Sequence, residues 1–255
     1  MSLQSEFTDL ARAGGRGALV TVLDGPRPGA KLLVRSDGSR AGDLGGGEAL
    51  EAAAAAHADE LMWAERSERR EEGDVTLFVD VTFPPPRLIA FGAVDFAAAL
   101  CRMARAAGWR PFVVDPRARF AQPARFPDAE EVVAAWPEEA FQRLGGIDRA
   151  TAIAVLTHDP KLDDAALVLA LRSDAGYIGA MGSRRAQARR RERLLAKGIE
   201  EADLERISAP IGLDLGALTA EETALSIIAE IVAMRHGRSG GRLALNQGRI
   251  HEVGV

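Results

Sequence analysis

The sequence predicts an α/β protein: a small α+β domain followed by a Rossmann-like domain with a doubly wound, mostly parallel sheet. Three observations lead to this fold class. A strand–turn–helix–strand unit begins near residue 87, further strands and helices alternate after it, and three consecutive prolines precede it. Alternation of strands and helices is typical of a parallel sheet that helices cover on both faces.

Charge and proline content place the domain boundary. Residues 1–86 have 9 Lys or Arg against 15 Asp or Glu, whereas residues 87–255 have 23 against 22. Three prolines at 84–86 separate these stretches, and such a run continues neither a helix nor strand pairing. The predicted organisation is a small domain over 1–83, a linker over 84–86, a Rossmann-like domain over 87–237 and a polar tail over 238–255.

Composition disfavours several classes of protein. The net charge of −5 gives no reason to expect nucleic-acid binding. The single cysteine excludes an internal disulfide and a multi-cysteine metal cluster. The sequence has neither a signal peptide nor a long apolar span, so we expect a soluble, cytoplasmic protein without a membrane span.

In the first domain, apolar runs predict strands, and a long alanine-rich stretch predicts a helix. The predicted strands cover residues 18–23, 31–34 and 75–81, and the predicted helices cover 1–16 and 48–63. The charged segment 65–74 is expected to connect the long helix to the last of these strands.

The second domain opens with a unit typical of nucleotide binding. An apolar strand over 87–91 leads through a turn at Gly92 into a helix over 95–107 with Asp95 as its expected N-cap, and a second strand ends at Asp115. Backbone N–H groups of Gly92, Ala93 and Val94 would bind phosphate, and Asp115 would accept hydrogen bonds from ribose hydroxyls. Val94 stands where the dinucleotide pattern has a second glycine, so it would crowd a pyrophosphate.

Two later loops are expected at the same edge of the sheet. Arg117 follows the second strand, where it could meet phosphate. Thr157, His158 and Asp159 follow a clear apolar strand, with Asp159 capping a helix over 160–172. Thr157 and His158 would project toward a ligand. His158 either donates hydrogen bonds or a proton to that ligand, or only orders the loop; both interpretations stay open.

The turn after the strand over 176–179 is the strongest predicted anion site. Gly179 ends this strand, Gly182 gives access to the backbone, Ser183 caps the next helix, and Arg184 and Arg185 open it. Positive side chains at a helix start oppose the helix dipole, and a bound anion would relieve that conflict. The arginines at 189–191 and 193 are read as a solvated helix face.

The chain then returns to the sheet through residues 210–216, which include Gly212 and Asp214. Residues 219–222 form a capping box that opens a long amphipathic helix. Its predicted buried stripe comprises Ala224, Leu225, Ile227, Ile228, Ile231 and Val232.

Residues 91–237 resemble the XdhC/CoxI family, the accessory factors of xanthine dehydrogenase and related molybdenum hydroxylases. The motifs that match are FGAVDFAAAL (91–100), VDPR (114–117), LTHDPK (156–161), GAMGSRR (179–185), PIGLDLGA (210–217) and TAEE (219–222). The resemblance implies a Rossmann-type C-terminal domain that binds a molybdopterin-type molybdenum cofactor, protects it during sulfuration and delivers it to an apo-enzyme. A cysteine desulfurase is a candidate second partner, and a homodimer a candidate assembly.

The N-terminal domain departs from the family pattern. Family members commonly carry a Gly-Gly-Cys motif before the first long helix and a Cys-Gly-Gly motif later. Here Gly46, Gly47 and Glu48 stand at the first position, and the second motif is absent. The domain is also shortened, so no cysteine role in holding the cofactor transfers to this chain.

The leading hypothesis is a cofactor chaperone without turnover of its own, so no catalytic residue and no metal site are predicted. The alternatives are an NAD(P)-dependent oxidoreductase, for which His158 is the one plausible proton donor, and a regulatory nucleotide sensor. All three use one set of predicted binding residues. The set comprises Gly92, Ala93, Val94, Asp115, Arg117, Thr157, His158, Asp159, Gly179, Gly182, Ser183, Arg184, Arg185, Gly212 and Asp214.

Overall fold

The computed structural model describes residues 2–245, so the predicted polar tail lies outside the described residues from residue 246 onward. The chain divides between Pro84 and Pro85 into two compact units. Each unit has a sheet of its own. The fold of each unit is described separately below.

Within residues 2–84, five strands form an antiparallel sheet in the order β3-β2-β1-β5-β4. Its elements are α1 (Leu3–Arg12), β1 (Gly17–Asp24), β2 (Lys31–Arg35), β3 (Arg40–Asp43), α2 (Gly47–Ala64), β4 (Glu68–Glu72) and β5 (Val75–Thr82). Successive residues of a strand face opposite sides of the sheet. Accordingly, Val20 joins the core under α2, whereas Leu19 joins Phe7 of α1.

Strands β3 and β4 were not expected from the sequence. Strand β4 consists wholly of Arg and Glu, so it has no apolar pattern to detect. It lies at the edge of the sheet, where charged side chains are common because they discourage pairing with other chains. Arg70 pairs with Glu60 of α2, which ties this edge to the helix.

Within residues 85–245, six parallel strands form the second sheet in the order β11-β10-β9-β6-β7-β8. The strands are β6 (Arg87–Phe91), β7 (Arg110–Val114), β8 (Glu131–Val133), β9 (Thr151–Val155), β10 (Tyr177–Ala180) and β11 (Ile207–Ser208). The helices are α3 (Asp95–Ala106), α4 (Pro137–Leu144), α5 (Pro160–Leu171), α6 (Arg184–Ala196), α7 (Glu201–Leu204) and α8 (Ala220–Arg235).

The helices of this unit cover both faces of the sheet. Residues of α3 and α8 share one core with Leu88 and Ala154. Residues of α4, α5 and α6 share the other core with Ile89 and Val155. The sheet is therefore doubly wound, and its strand order is that of dinucleotide-binding Rossmann domains. The predicted fold class is confirmed, and the sheet of this unit is parallel throughout.

Two local predictions for the second unit need correction. The N-cap of α3 is Val94 and not Asp95, which is the first helical residue and pairs with Arg125 at 3.2 Å. The capping box of α8 forms as predicted, but Leu225 and Val232 are exposed. The buried face of α8 instead includes Ser226 and Ala233, because the helix packs against α3.

Among the helices of residues 2–245, none is both long and apolar enough to cross a membrane.

Candidate functional site

The crevice of the second sheet lies where the strand order reverses, between β6 and β9. The chain leaves these neighbouring strands in opposite directions, which is where open α/β sheets bind ligands. Gly92 follows β6 with φ of +112°, and a Cβ there would lie 2.3 Å from Thr157 Cγ2 after β9. Both the backbone conformation and the close approach of Thr157 therefore require glycine at this turn.

The glycine turn is already hydrogen-bonded to Asp115. Oδ2 of this buried side chain accepts from the Ala93 N–H at 2.9 Å and from Arg117 Nη2 at 2.7 Å. Oδ1 accepts from the Arg117 N–H at 2.9 Å and from Arg117 Nε at 2.8 Å. Burial raises the pKa of Asp115, but the hydrogen bonds from Arg117 and Ala93 outweigh it and lower the pKa below its ordinary value.

This arrangement bears on the predicted roles of three residues. The carboxylate of Asp115 occupies the Ala93 N–H that would bind a phosphate, and both its oxygens are engaged. Its role in binding ribose hydroxyls stays a prediction that requires this turn to open. Val94 is half-buried and packs against the core beneath α3. The Asp115 carboxylate on the Ala93 N–H is a second obstacle to a pyrophosphate, in addition to the side chain of Val94.

The segment after β7 folds back on the glycine turn. Guanidinium groups of Arg117 and Arg119 lie over the ring of Phe120, at 4.7 and 4.6 Å from its centroid. Arg125 donates to the Ala93 carbonyl at 3.1 Å. The hydrogen bond from Arg125 stabilises the glycine turn. Because the guanidinium of Arg117 already binds Asp115, a phosphate would have to compete with Asp115 for Arg117.

The loop after β9 presents one of its two predicted side chains. Thr157 is buried, and its hydroxyl donates to Asp163 in the first turn of α5. His158 is exposed. Asp159 caps α5 as predicted, accepting from the Lys161 N–H at 3.0 Å. The expectation that Thr157 binds a ligand stays a prediction, and its hydroxyl would first have to leave Asp163.

The turn after β10 has unused donors. Ser183 caps α6 and accepts from the Ala186 N–H at 3.3 Å, and Gly182 has φ of +132°. Arg184 and Arg185 are exposed, and their side chains have neither a hydrogen-bond partner nor an ion-pair partner among residues 2–245. The positive end of the α6 dipole and two unpaired guanidinium groups thus lie together at the ligand edge of the sheet.

A buried ion pair supports this turn from below. Arg190 donates from Nη2 to Asp163 Oδ2 at 3.2 Å and to the Met181 carbonyl at 2.9 Å. Nη1 of Arg190 donates to Gln187, whose amide donates to the Gly182 carbonyl at 3.1 Å. Burial raises the pKa of Asp163 despite its hydrogen bonds from Thr157 and Arg190. Asp163 thereby joins the loop after β9 to the turn after β10.

The arginine run of α6 is consequently not a wholly solvated face. Arg190 is buried, and Arg193 binds both oxygens of Asp164 at 2.8 and 2.9 Å. The burial of Arg190 could have been predicted from its spacing to Leu194, because residues four apart share a helix face and Leu194 is buried. The sequence did not indicate that Asp163 is the partner of Arg190, because α5 has buried residues around much of its circumference.

The loop after β11 lies over the end of β10. A Cβ on Gly179 would come within 2.5 Å of Ile211 Cδ1 and 2.6 Å of Tyr177 Oη. The Gly212 N–H donates to Glu230 Oε2 at 2.8 Å, and Tyr177 donates to the same oxygen. Burial, reinforced by Glu230, raises the pKa of Tyr177 far above its ordinary value. This anchoring leaves Asp214 exposed on the loop, and sequence reasoning missed both Tyr177 and Glu230.

Metal and thiolate chemistry have little support in the described fold. No group of three or more His, Cys, Asp or Glu in residues 2–245 could hold a metal ion. The single cysteine, Cys101, is buried in the core of α3, and burial raises its pKa to about 12. A thiol in that environment is neither a ready nucleophile nor a metal ligand.

Known families match both units. The model of the XdhC Rossmann domain matches residues 88–231, and the model of the XdhC and CoxI family matches residues 10–72. A probable xanthine dehydrogenase subunit of Bacillus subtilis is 31% identical over 159 residues, which is 62% of this chain and 46% of that protein. The molybdenum cofactor insertion chaperone PaoD of Escherichia coli is 26% identical over 280 residues, with 90% of this chain and 87% of that protein covered.

A solved structure agrees with the fold. The crystal structure of a xanthine dehydrogenase from Bacillus halodurans superposes with a TM-score of 0.62 at 25% identity, covering 90% of this chain and 65% of that one. The chain spans about half the length of two curated relatives that it matches: 48% of the protein YqeB of Escherichia coli and 46% of the Bacillus subtilis subunit.

Proposed function

The chain belongs to the XdhC and CoxI family, and from this premise we propose that it is an accessory protein of a molybdenum enzyme. In this role it binds a molybdopterin-type molybdenum cofactor, pterin or pterin dinucleotide, as cargo and passes it to an apo molybdenum hydroxylase. The name of PaoD, a molybdenum cofactor insertion chaperone, supports this role.

One observation supports the site more than any other: Arg184 and Arg185 lie unpaired among the described residues beside the start of α6. A molybdopterin carries a phosphate, and two guanidinium groups with free helix N–H groups are chemically suited to it. His158 and Asp214 are exposed on the loops after β9 and β11, where they offer donors and acceptors to a pterin ring. These residues bind and orient the cargo and transfer no proton to it.

The chain offers the molybdenum no thiolate. Its one cysteine is buried with a raised pKa, so the cofactor would be held through its organic part. Such binding leaves the metal free of protein ligands, which suits a carrier that must release its cargo. The cysteine desulfurase partner stays a prediction.

An NAD(P)-dependent oxidoreductase is the second candidate, and the strand order of the second sheet is the observation that favours it. The occupied Ala93 N–H opposes it, because a pyrophosphate would have to displace Asp115 from the turn. A nucleotide sensor would need the same displacement.

Small molecules released from the purified protein distinguish these candidates. We expect protein from a host that makes molybdenum cofactor to release a pterin, detected by mass spectrometry and by fluorescence after oxidation. Protein from a host unable to make molybdopterin is the control. Loaded protein should then activate an apo molybdenum hydroxylase. NAD or NADP binding at micromolar dissociation constants, about −8 kcal/mol, with no pterin released would contradict the proposal and favour the oxidoreductase.

A further inference from the structure

A cavity of about 180 Å³ lies between α6, α7 and β11, on the face of the second sheet that α5 and α6 cover. Its apolar wall comes from Leu194, Leu204 and Ile207, which lie in or against the core on that face. An engineered cavity of roughly 150 Å³ is large enough to bind benzene. The cavity beside α6 is therefore large enough for a molecule with a single six-membered ring.

A buried donor without a partner lies in the wall of this cavity. Arg190 lines the cavity, and its side chain is only 5% exposed. Its Nη1 donates to Gln187, and its Nη2 donates to Asp163 and to the Met181 carbonyl. Its Nε is buried and has no hydrogen-bond partner among residues 2–245. Because a buried N–H without an acceptor is unfavourable, a ligand that brings an acceptor to Nε gains a hydrogen bond shielded from water.

An acceptor without a partner lines the same cavity. Glu205 is exposed, and its carboxylate has neither a hydrogen-bond partner nor an ion-pair partner among residues 2–245. The two cationic side chains of the lining are each paired with a carboxylate, Arg190 with Asp163 and Arg191 with Glu201. The charge left over at the cavity is therefore the negative charge of Glu205, which disfavours an anionic ligand.

We propose that this cavity binds a small neutral cyclic amide, a ring that carries a carbonyl oxygen beside an N–H group. The carbonyl oxygen accepts from Arg190 Nε, the N–H donates to Glu205, and the apolar part of the ring packs on Leu194 and Leu204. A carboxylate of the same size would be repelled by Glu205. A ring without the N–H would leave Glu205 unpaired, so it would bind more weakly.

The cavity is connected to the predicted anion site in the turn after β10. Gln187 lines the cavity and donates from Nε2 to the Gly182 carbonyl at 3.1 Å. Arg190 donates to the Met181 carbonyl at 2.9 Å. A ligand on Arg190 restricts the side chains that hold this turn, so a phosphate has less ordering to impose. We expect a filled cavity to tighten phosphate binding about threefold, and phosphate to tighten cyclic amide binding by the same factor. Only this coupling rests on the proposed function.

δ-Valerolactam, a six-membered cyclic amide, is the probe for the cavity. Cyclohexanone, which has the same ring size and a carbonyl but no N–H, and benzoate are its controls. Ligand-observed NMR titration of the full chain should show saturable binding of the lactam at one site, at least threefold tighter than either control. Leu204→Trp, which places a larger side chain in the cavity, should weaken lactam binding tenfold or more. The melting temperature of this variant shows that the fold is kept.

The acceptor is tested by Glu205→Ala. This change should weaken lactam binding roughly fivefold and leave cyclohexanone binding unchanged, because only the lactam donates to the carboxylate. Glu205 is exposed, so its loss should not disturb the fold. Glu192→Ala is the matched control, since it removes an exposed carboxylate of α6 that does not line the cavity. That variant should bind the lactam like the wild type.

Three results would overturn this inference. Cyclohexanone or benzoate that binds as tightly as the lactam would refute the ligand class. Lactam binding that is unchanged in both Leu204→Trp and Glu205→Ala would refute the site. Calorimetric titration of inorganic phosphate that gives the same affinity with and without bound lactam would refute the coupling. Lactam binding in a protein that binds no phosphate would instead contradict the proposed anion site and leave the cavity site standing.

Discussion

The turn after β6 and the turn after β10 have the same plan, a glycine with positive φ before a helix, but they differ in how many donors are free. In the first turn the Ala93 N–H and the Arg117 guanidinium are bound by the buried carboxylate of Asp115. In the second turn Arg184 and Arg185 have no partner among residues 2–245. The first turn therefore contains its own anion, whereas the second is suited to an external one.

This difference shows why the strand order alone does not identify the ligand. The Rossmann arrangement places both turns at the carboxyl edge of the sheet. Side chains from other elements then decide which turn has unused hydrogen-bonding capacity. In the first turn, Asp115 accepts the hydrogen bond of the Ala93 N–H. In the second turn, Arg190 binds the Met181 carbonyl, and the guanidinium groups of Arg184 and Arg185 are left free for an anion.

The largest effect is expected on removing the support of the second turn. Arg190→Met leaves the buried Asp163 without its ionic partner, and breaking a buried pair in this way costs roughly 3–5 kcal/mol. Urea denaturation should show this loss in the free energy of unfolding. Arg189→Met removes an exposed neighbour and should change stability by no more than about 0.5 kcal/mol. Equal stability of the two variants would contradict the role given to Arg190.

Breaking the first turn should cost less. Asp115→Asn removes the carboxylate that binds Arg117 and the Ala93 N–H, and charge-assisted hydrogen bonds of this kind contribute about 1.5–3 kcal/mol. The exposed carboxylate of Asp95 gives a matched control, since Asp95→Asn should cost about 0.3–1 kcal/mol. A loss for Asp115→Asn no larger than that of the control would show that the first turn does not depend on its internal anion.

Asp115→Asn should also change how the free energy of unfolding depends on pH under acidic conditions. The pKa of Asp115 is lowered in the folded protein, so its contribution is present above the ordinary aspartate pKa of about 3.9. That contribution is lost as the pH falls through the lowered value. The stability difference between wild type and Asp115→Asn should therefore be constant near neutrality and shrink below about pH 4. A difference that persists at the lowest pH would rule out the carboxylate as its cause.

A smaller effect is expected at the second turn, on binding alone. Changing Arg184 and Arg185 together to Ala should weaken binding of inorganic phosphate roughly tenfold, about 1.4 kcal/mol, because exposed charge pairs are screened by water. Stability should stay unchanged, since neither side chain has a partner among residues 2–245 to lose. Titration calorimetry that finds unchanged phosphate affinity would show that the anion site lies elsewhere.

The smallest effect is expected for Val94→Gly. If Asp115 closes the first turn, relieving the crowding at Val94 alone should change NAD affinity by less than about tenfold. The half-buried Val94 side chain packs on the core, so a modest loss of stability is expected as well. New micromolar binding of NAD would show that side-chain crowding, and not the internal carboxylate, excludes the dinucleotide.

The local features of the second unit could be predicted because they depend on residues close together in the chain. Asp159 and Pro160 start α5, and Thr219 and Glu222 form the capping box of α8. Such signals need only a polar side chain within three residues of an unpaired N–H. Strand β4 escaped prediction because an edge strand of charged residues lacks the alternation that marks a half-buried strand.

The amino-acid sequence was thus sufficient to predict the α/β fold class, the strand–helix–strand unit that opens the second unit and the family to which the chain belongs, but it did not reveal α7 or β11. Only the packing of the folded chain shows that Asp115 closes the first turn, that Thr157 is buried against Asp163 and that Arg190 is buried. Arg190 and Asp163 are 27 residues apart, and Ala93 and Asp115 are 22 apart. A charged or polar group can be buried only beside a suitable partner, and which distant residue supplies that partner depends on how the helices pack on the sheet.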